Sequence, residues 1–586
     1  MRQWMVAAKK ADFYVIAEKF HVDPVVARII RNREVIGEKN IRIYLGGNLS
    51  DLSDPHQMKD MDRLVGILAQ KIRKQVHIRI IGDYDVDGVT SSHLFLTALR
   101  RVGAKVDVII PHRIQDGYGL SLHLLQQAKE DGVDTILTCD NGIAAIDEIA
   151  WAKAQKMTVL VTDHHAVPFE EHEGRRTEKK SLADAVVNPH QQDCGYPYKE
   201  LCGAGVAWNV IRVLYENYDM DKREAEDLLD FVAMATVCDV MSLTGENRIL
   251  VKEGLKRIRH TKNIGLQALM QACNVQPENI SAYHFGYVLG PCVNATGRLD
   301  TARHALRLFE TGQETEAEEI ARDLVDLNQE RKELTLQGVE MAKKLCEEGG
   351  YENDPVLVLF LPDVHESIAG LIAGRIREMY NRPVFVLTRG EEGVKGSGRS
   401  TENYSMYENM CGCAELFTKF GGHPMAAGLS LPEENVEKFR RKINENCPLT
   451  VEEVCPDIHI DMAMPVGYAS TELVHQFALL EPFGKDNPSP LFADRNLSIS
   501  RMWLIGKNRN VLRMSVLSEY GQPVPVIFFG DVETLFAYFT EKFGQEEVEN
   551  ALHGRKNRIL FSMVYTAKID FYQGNENLQL EMKYYR

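Results

Sequence analysis

Three aspartate-bearing segments follow short apolar runs. Val76-His77-Ile78-Arg79-Ile80-Ile81 leads into Gly82-Asp83-Tyr84-Asp85-Val86-Asp87-Gly88, Asp134-Thr135-Ile136-Leu137-Thr138-Cys139 into Asp140-Asn141-Gly142, and Thr158-Val159-Leu160-Val161-Thr162 into Asp163-His164-His165. Carboxylates and imidazoles are donors for divalent cations. Several carboxylates held close together repel one another unless cations lie between them. If the three segments meet, five Asp and two His share one place, and the economical chemistry is a site for two metal ions.

Each segment alone is a weak signal. D-x-D-G resembles half of a calcium loop, but such a loop needs Glu at its twelfth position, and Leu94 and Leu96 stand there when counting from Asp83 and Asp85. Asp140-Asn141-Gly142 is an ordinary turn sequence, and adjacent histidines also occur as surface pairs. The recurrence of all three after strand-like runs is what carries weight. Asp239 is a fourth candidate, set in the apolar run Met234–Leu243. A buried charge there needs a partner: a salt bridge, a helix cap, or, with the other segments in view, a metal.

The elements that must position these residues alternate. Strand candidates are 76–81, 106–110, 134–139, 158–162 and 184–187, and helix candidates are 89–102, 120–130, 143–156, 203–218 and 223–236. This is the pattern of βα units around a parallel sheet. All strands of such a sheet end at one edge, where ligands bind. Residues 313–348 are rich in Glu, Lys, Arg and Leu and read as a long, exposed connecting helix. A second α/β unit starts at Val356–Phe360 and ends near residue 448, and residues 452–586 carry many short alternating strands that suggest a small β-barrel.

With 586 residues, about three or four domains are expected. Composition is that of a soluble globular protein: 44% hydrophobic and 26% charged. There is no apolar run near the roughly 18 residues of a membrane span, no signal-peptide core, and no zinc-type cysteine spacing among the 11 Cys. A reducing, cytoplasmic location is the default expectation. The net charge of −16 speaks mildly against general nucleic-acid binding. A local basic groove remains compatible with it, because a carboxylate-rich centre supplies part of the acidic excess.

Asp85-Val86-Asp87, Asp140-Asn141-Gly142, Asp163-His164-His165 and Asp239 resemble the four motifs of the DHH phosphoesterase superfamily. Three further stretches resemble the RecJ branch, the single-stranded-DNA-specific exonucleases: Leu52–Asp62, Gly290–Asp300, and the opening of a C-terminal OB-fold at Leu480–Pro488. The resemblance runs from about residue 45 to 495. It implies an N-terminal helical and loop segment (1–75) packing on the DHH domain, a DHH catalytic domain (76–300), a connecting helix (301–350), a DHHA1 substrate-binding domain (351–448) and an OB-type β-barrel (449–586). The family's roles place divalent metal on Asp85, Asp87, Asp140, His164 and Asp239, with Asp140 bridging two ions, Asp83 as a further candidate and His165 facing the scissile phosphate. Oxygen-rich ligation suits Mn²⁺ or Mg²⁺.

Lys395-Gly396-Ser397-Gly398-Arg399-Ser400 and Phe420-Gly421-Gly422-His423 are, by themselves, either turns or anion-binding loops. Together they resemble DHHA1 phosphate contacts, which implies substrate binding by Ser397, Arg399, Ser400, Gly422 and His423, and by Arg298 of the Gly290–Asp300 stretch. His365 lies at a family histidine position within an altered motif. Trp503, Phe528, Phe529, Tyr565, Phe571 and Tyr572, with Arg501, Lys507, Arg509, Arg513, Arg555, Lys556 and Arg558, offer either base-stacking surface or ordinary barrel core. The implied function is a two-metal 5′→3′ exonuclease on single-stranded DNA that releases 5′-mononucleotides in recombination and repair. Its implied partners are single-stranded DNA, a RecQ-type helicase and a single-strand-binding protein, with no membrane. The alternatives are a phosphodiesterase for short oligonucleotides or cyclic dinucleotides, and an inactive scaffold.

Overall fold

A computed structural model describes residues 3–586 except 114, 115, 117, 118, 173, 174, 352, 391, 392, 454–456, 507, 508 and 573. The chain divides into two compact units. One comprises Leu52–Met241 with Ile249–Pro456, and the other Gln3–Asp51, Ser242–Arg248 and Asp457–Arg586.

The first unit contains the expected parallel sheet. Its strands are β1 (His77–Ile81), β2 (Lys105–Ile109), β3 (Thr135–Cys139), β4 (Thr158–Thr162) and β5 (Ala185–Val187), in the order β2-β1-β3-β4-β5. Residues of the central strands, among them Ile78, Ile80, Ile136, Leu137, Val159 and Leu160, are fully buried, as a sheet covered on both faces requires. Ile81 pairs with Ile109 and Thr138, Thr138 with Val161, and Thr162 with Val187. That register makes the loops after β1, β3 and β4 leave the sheet at one edge.

Helices α1 (Val86–Arg101), α2 (Gly203–Asn217) and α3 (Leu229–Cys238) pack on one another beside this sheet. The helix expected at 223–236 is two pieces, Lys222–Glu226 and Leu229–Cys238. Further along run α4 (Ile264–Ala272), α5 (Gly290–Leu299) and α6 (Glu314–Glu348). The 35-residue α6 is the connecting helix, but it is not simply exposed: Ala317, Ile320, Ala321, Leu324, Val339 and Ala342 bury one stripe, and it packs on α4, α5 and α7 (Glu366–Tyr380).

The second α/β domain has strands β6 (Leu357–Phe360), β7 (Val384–Gly390), β8 (Gly393–Arg399), β9 (Lys419–His423) and β10 (Ala426–Leu431), in the order β9-β10-β8-β7-β6. Only β6 and β7 are parallel.

In the other unit, β11 (Met462–Ala463), β12 (Phe492–Ile505), β13 (Val511–Leu517), β14 (Pro523–Phe528), β15 (Leu560–Tyr572) and β16 (Asn575–Tyr585) run in the order β11-β12-β13-β14-β16-β15, and a β12–β15 pairing closes the ring. The all-strand reading of this region missed the helices Thr471–Phe477, Val532–Phe543 and Gln545–Leu552. Residues 3–51 were expected to pack on the catalytic domain. Instead Val26, Ile29, Ile30 and Tyr44 share a core with Phe492, Met514, Phe539 and Tyr565 of the barrel. The remainder of that segment does join the sheet domain, through the helix Met61–Arg73 against α2 and β5. Among the described residues, no helix is long and apolar enough to cross a membrane.

Candidate metal centre and adjoining cleft

The loop after β1 turns directly into α1. Asp85 is the N-cap, and its carboxylate accepts from Gly88 N at 3.0 Å, satisfying an amide that the first helical turn leaves open. Asp87 sits one residue into the helix, and both its oxygens are held by the start of α2: Oδ2 accepts from Gly203 N at 2.6 Å and Oδ1 from Ala204 N at 2.7 Å. A carboxylate on two amides at a helix N-terminus is stabilised by the helix dipole. After β3, Asp140 adopts φ +61°, a left-handed conformation that Asp tolerates better than most residues. After β4, the Asp163 carboxylate accepts from Ile143 N, His164 N and His165 N and contacts His165 Nδ1 at 2.8 Å. Asp239 is the C-cap of α3.

These separate devices bring the candidate residues together. His164 Nε2 lies 3.1 Å from Asp140 Oδ1, 3.6 Å from Asp239 Oδ2 and 3.7 Å from Asp87 Oδ2. His165 Nδ1 is 3.9 Å from Asp140 Oδ1. Three overlapping sets, Asp83/Asp85/Asp140, Asp87/His164/Asp239 and Asp140/His164/His165, each hold donor atoms within 4.8 Å of one another. Asp140 and His164 each belong to two of these sets.

The donor chemistry fits divalent cations. Asp83 Oδ1 and His164 Nε2 are buried without a hydrogen-bond partner among the described residues, a costly state unless something else binds them. Burial, followed by the charge of Asp85, raises the Asp83 carboxyl well above its usual range. Burial and Asp87 raise Asp85, and burial with Asp87 and Asp85 raises Asp140. Burial lowers His164 and keeps its imidazole neutral, the form that donates a lone pair to metal. Burial also opposes protonation of His165, but the Asp163 hydrogen bond and the surrounding carboxylates prevail and hold it at about 9.

A cavity of about 460 Å³ adjoins the first loop at Tyr84 and is lined on the other side by Glu366, Ser367, Lys395, Ser397, Lys419 and Gly421. Arg113 also lines it, stacked 4.9 Å from the Tyr84 ring. Arg298, at the end of α5, pairs with neither Asp300 nor Glu310. It donates to Ser367 O at 2.7 Å, and burial together with the charges of Arg113, Arg331 and Arg399 lowers its pKa to about 10. Burial and Arg377 lower Arg399 as well. An anion beside Arg298 would offset the repulsion from these neighbouring guanidiniums.

The structure departs from the expected substrate set at Ser400. That residue is fully buried and its hydroxyl donates to Tyr404 O at 2.5 Å, so it fastens the turn after β8 and does not reach the cavity. Gly422 and His423 follow the cavity-lining Gly421 along β9 and are exposed. His365 caps α7, accepting from Ser367 N. Asn141 Nδ2 donates to Ile81 O at 3.0 Å and to Cys139 O at 2.8 Å, which ties the loop after β3 to the sheet. In the barrel, Phe528 and Tyr565 are core, Phe529 and Phe571 are exposed, and Arg501 lies 5.6 Å from the Trp503 ring. Lys507 and the side chain of Tyr572 lie outside the described residues.

Reasoning from sequence missed Gly203, Ala204, Tyr84, Arg113, Lys395, Lys419 and the orienting role of Asp163. Arg113 was within reach, since it follows β2 at the same sheet edge as the aspartates.

An acidic sheet edge of this kind, beside a small α/β domain, defines a DHH-type phosphoesterase. Sequence profiles agree: the DHH family N-terminal domain matches residues 77–236, the DHHA1 domain 353–447 and the RecJ OB domain 460–584. The chain belongs to the RecJ family. It is 32% identical to the single-stranded-DNA-specific exonuclease RecJ of Haemophilus influenzae, covering 96% of each chain. It is 33% identical to the RecJ of Bacillus subtilis over 86% of this chain, and spans 63% of that relative's length. A crystal structure of Thermus thermophilus RecJ with Mn²⁺ superposes with a TM-score of 0.81 at 25% identity, covering 100% of this chain and 79% of the other.

Proposed function

We propose that this protein is a two-metal exonuclease that takes single-stranded DNA from its 5′ end and releases 5′-mononucleotides, in the setting of recombination and repair. The observation that carries the reading is the convergence of Asp83, Asp85, Asp87, Asp140, His164 and Asp239 beside a cavity whose lining includes Arg113, Lys395 and Lys419. The relatives' description as single-stranded-DNA-specific exonucleases supports the substrate.

In this reading Asp85, Asp87, Asp140, His164 and Asp239 hold Mn²⁺ or Mg²⁺, with Asp83 completing the acidic wall. The bound cations lower the pKa of water and offset charge on the phosphoryl oxygens. Asp163 fixes the His165 ring through Nδ1, directing its other nitrogen away from Asp163 and towards an incoming phosphate. Arg113, Arg298, Arg399 and Ser397 hold substrate phosphates, with the exposed Gly422–His423 strand end beside them. Residues 76–300 form the catalytic domain, 351–448 the substrate-binding domain, and 449–586 a nucleic-acid-binding barrel. A substrate that must be unpaired is best supplied by a helicase and a single-strand-binding protein, which we place with this enzyme in the cytoplasm.

The test uses 5′-labelled single-stranded DNA, duplex DNA and a dinucleotide, each incubated with the protein and Mn²⁺. Progressive loss of the single strand alone is expected, and Asp140→Ala should slow it on the order of 10³-fold while circular dichroism stays unchanged. Cleavage confined to the dinucleotide, or no hydrolysis of any substrate, would overturn the reading.

A further inference from the structure

Cys273 and Cys292 stand apart from the metal centre, and their sulfurs lie 3.8 Å from each other. Cys273 is the partly exposed C-cap of α4. Cys292 is buried in the first turn of α5, where Asn328 of α6 donates to its sulfur at 3.3 Å.

Helix α5 does more than hold a thiol. Asn294 Oδ1 accepts from Val86 N at 3.2 Å, bracing the loop that carries Asp85 and Asp87. Gly297 lies so close to that loop that a Cβ would sit 2.4 Å from Tyr84 O. Arg298 donates to Ser367 O in the second α/β domain. One short helix therefore joins a thiol pair, the first aspartate loop and the cavity wall.

We propose that Cys273 and Cys292 are a peroxide-modification site: Cys273 is oxidised first, Cys292 resolves it, and the resulting disulfide restrains α5. Peroxide transfers one oxygen to the Cys273 sulfur as its O–O bond breaks, giving a sulfenic acid and one water. The Cys292 sulfur then attacks that sulfur, the S–OH bond breaks, and a second water leaves. Two electrons from the two thiols reduce one peroxide. A solvent-accessible thiol poised next to a second cysteine is the arrangement that such chemistry favours. The contact between the two sulfurs, aided by the charge of Lys332, lowers the Cys273 thiol against the effect of burial, while the same contact and burial raise Cys292, which makes Cys273 the one oxidised first. Closing the bond brings the sulfurs to about 2.05 Å, and the approach draws α5 towards the end of α4.

The effect on turnover rests on the exonuclease reading, whereas formation of the bond does not. The full chain carrying Cys411→Ser, which removes an exposed thiol, is treated with hydrogen peroxide and mapped by mass spectrometry. Three results are expected: a 273–292 cross-linked peptide, altered amide hydrogen exchange at residues 84–88, and a loss of exonuclease rate on the order of 10-fold. Dithiothreitol should restore the rate, and Cys273→Ser should abolish all three effects. Oxidation of Cys273 without linkage to Cys292 overturns the proposal, and so does a linkage that leaves both exchange and rate unchanged. A reduced protein with no exonuclease activity condemns the functional reading instead, while the mass and exchange measurements still decide the thiol chemistry.

Discussion

The amide of Gly203 donates to Asp87 Oδ2 at 2.6 Å, and the same residue presses on Asp140 so closely that a Cβ at position 203 would lie 2.6 Å from the Asp140 Cβ and 2.9 Å from its Cα. The start of α2 thus reaches into the centre of the carboxylate cluster, which it can do only without a side chain. It brings two amides and the positive end of a helix dipole to a carboxylate that is surrounded by others.

Gly203→Ala should therefore act as a metal-site mutation although glycine offers no ligand. Accommodating the methyl group needs movement of α2 or of the Asp140 backbone, at a cost of about 1–3 kcal/mol for overpacking. Displaced supporting contacts typically weaken metal binding about 10- to 100-fold. Mn²⁺ titration followed by electron paramagnetic resonance should show a loss in that range, with a lowered melting temperature. Wild-type Mn²⁺ affinity in Gly203→Ala would show that the helix start does not support the site.

That contact also marks the limit of what the sequence discloses. Buried parallel strands are nearly continuous apolar runs, so β1, β3 and β4 and the acidic loops behind them were readable, and sheet topology then required Asp83, Asp85, Asp87, Asp140, His164 and His165 to meet. Backbone amides leave no such mark: Leu201-Cys202-Gly203-Ala204-Gly205 reads as a small-residue helix start, and nothing local names its partner. Ser400 illustrates a different loss. It follows Arg399 by one residue, and whether it points to the cavity or the core depends on where β8 ends. The helix Pro24–Asn32 has a clear apolar stripe, yet a stripe shows that a face is buried without showing against what; its partners lie more than 400 residues away.

Arg298, which donates to the cavity-lining Ser367, offers a test of a phosphate site there. Its guanidinium is partly buried, its hydrogen bond goes to a carbonyl, and the charges of Arg113, Arg331 and Arg399 lower its pKa, so a bound anion would offset the repulsion. Arg298→Ala should raise KM for single-stranded DNA about 10-fold, which corresponds to about 1.4 kcal/mol. It should also reduce the slope of log affinity against log salt by about one, as expected for one lost phosphate contact. Circular dichroism and the Mn²⁺ affinity should stay as in wild type. A KM increase with an undiminished salt slope would mean that Arg298 braces α5 against Ser367 and touches no phosphate.

His93 is expected to impose an acid sensitivity of its own. It lies in α1 with its ring 4.4 Å from that of Phe231 and 5.8 Å from that of Phe309, and its Nδ1 is buried with no hydrogen-bond partner among the described residues. Burial, with the charge of Arg100 adding to it, pulls its pKa from 6.5 down to about 3. Between those values the unfolded chain binds a proton that the folded chain does not, so this group's contribution to stability falls as pH drops below 6.5, by up to about 1.4 kcal/mol per pH unit. Asp230 works in the opposite direction. Burial raises its carboxyl from 3.8 to about 6, so the folded chain takes up a proton first and gains stability as pH falls through that range. Comparing wild type with His93→Phe, which keeps an aromatic ring in the cluster, isolates the histidine, because Asp230 is common to both. The melting-temperature difference in favour of His93→Phe should widen steadily from pH 7.5 through 6 to 5. A difference that stays constant over that interval would show that His93 is protonated in the folded protein or reaches a partner when charged.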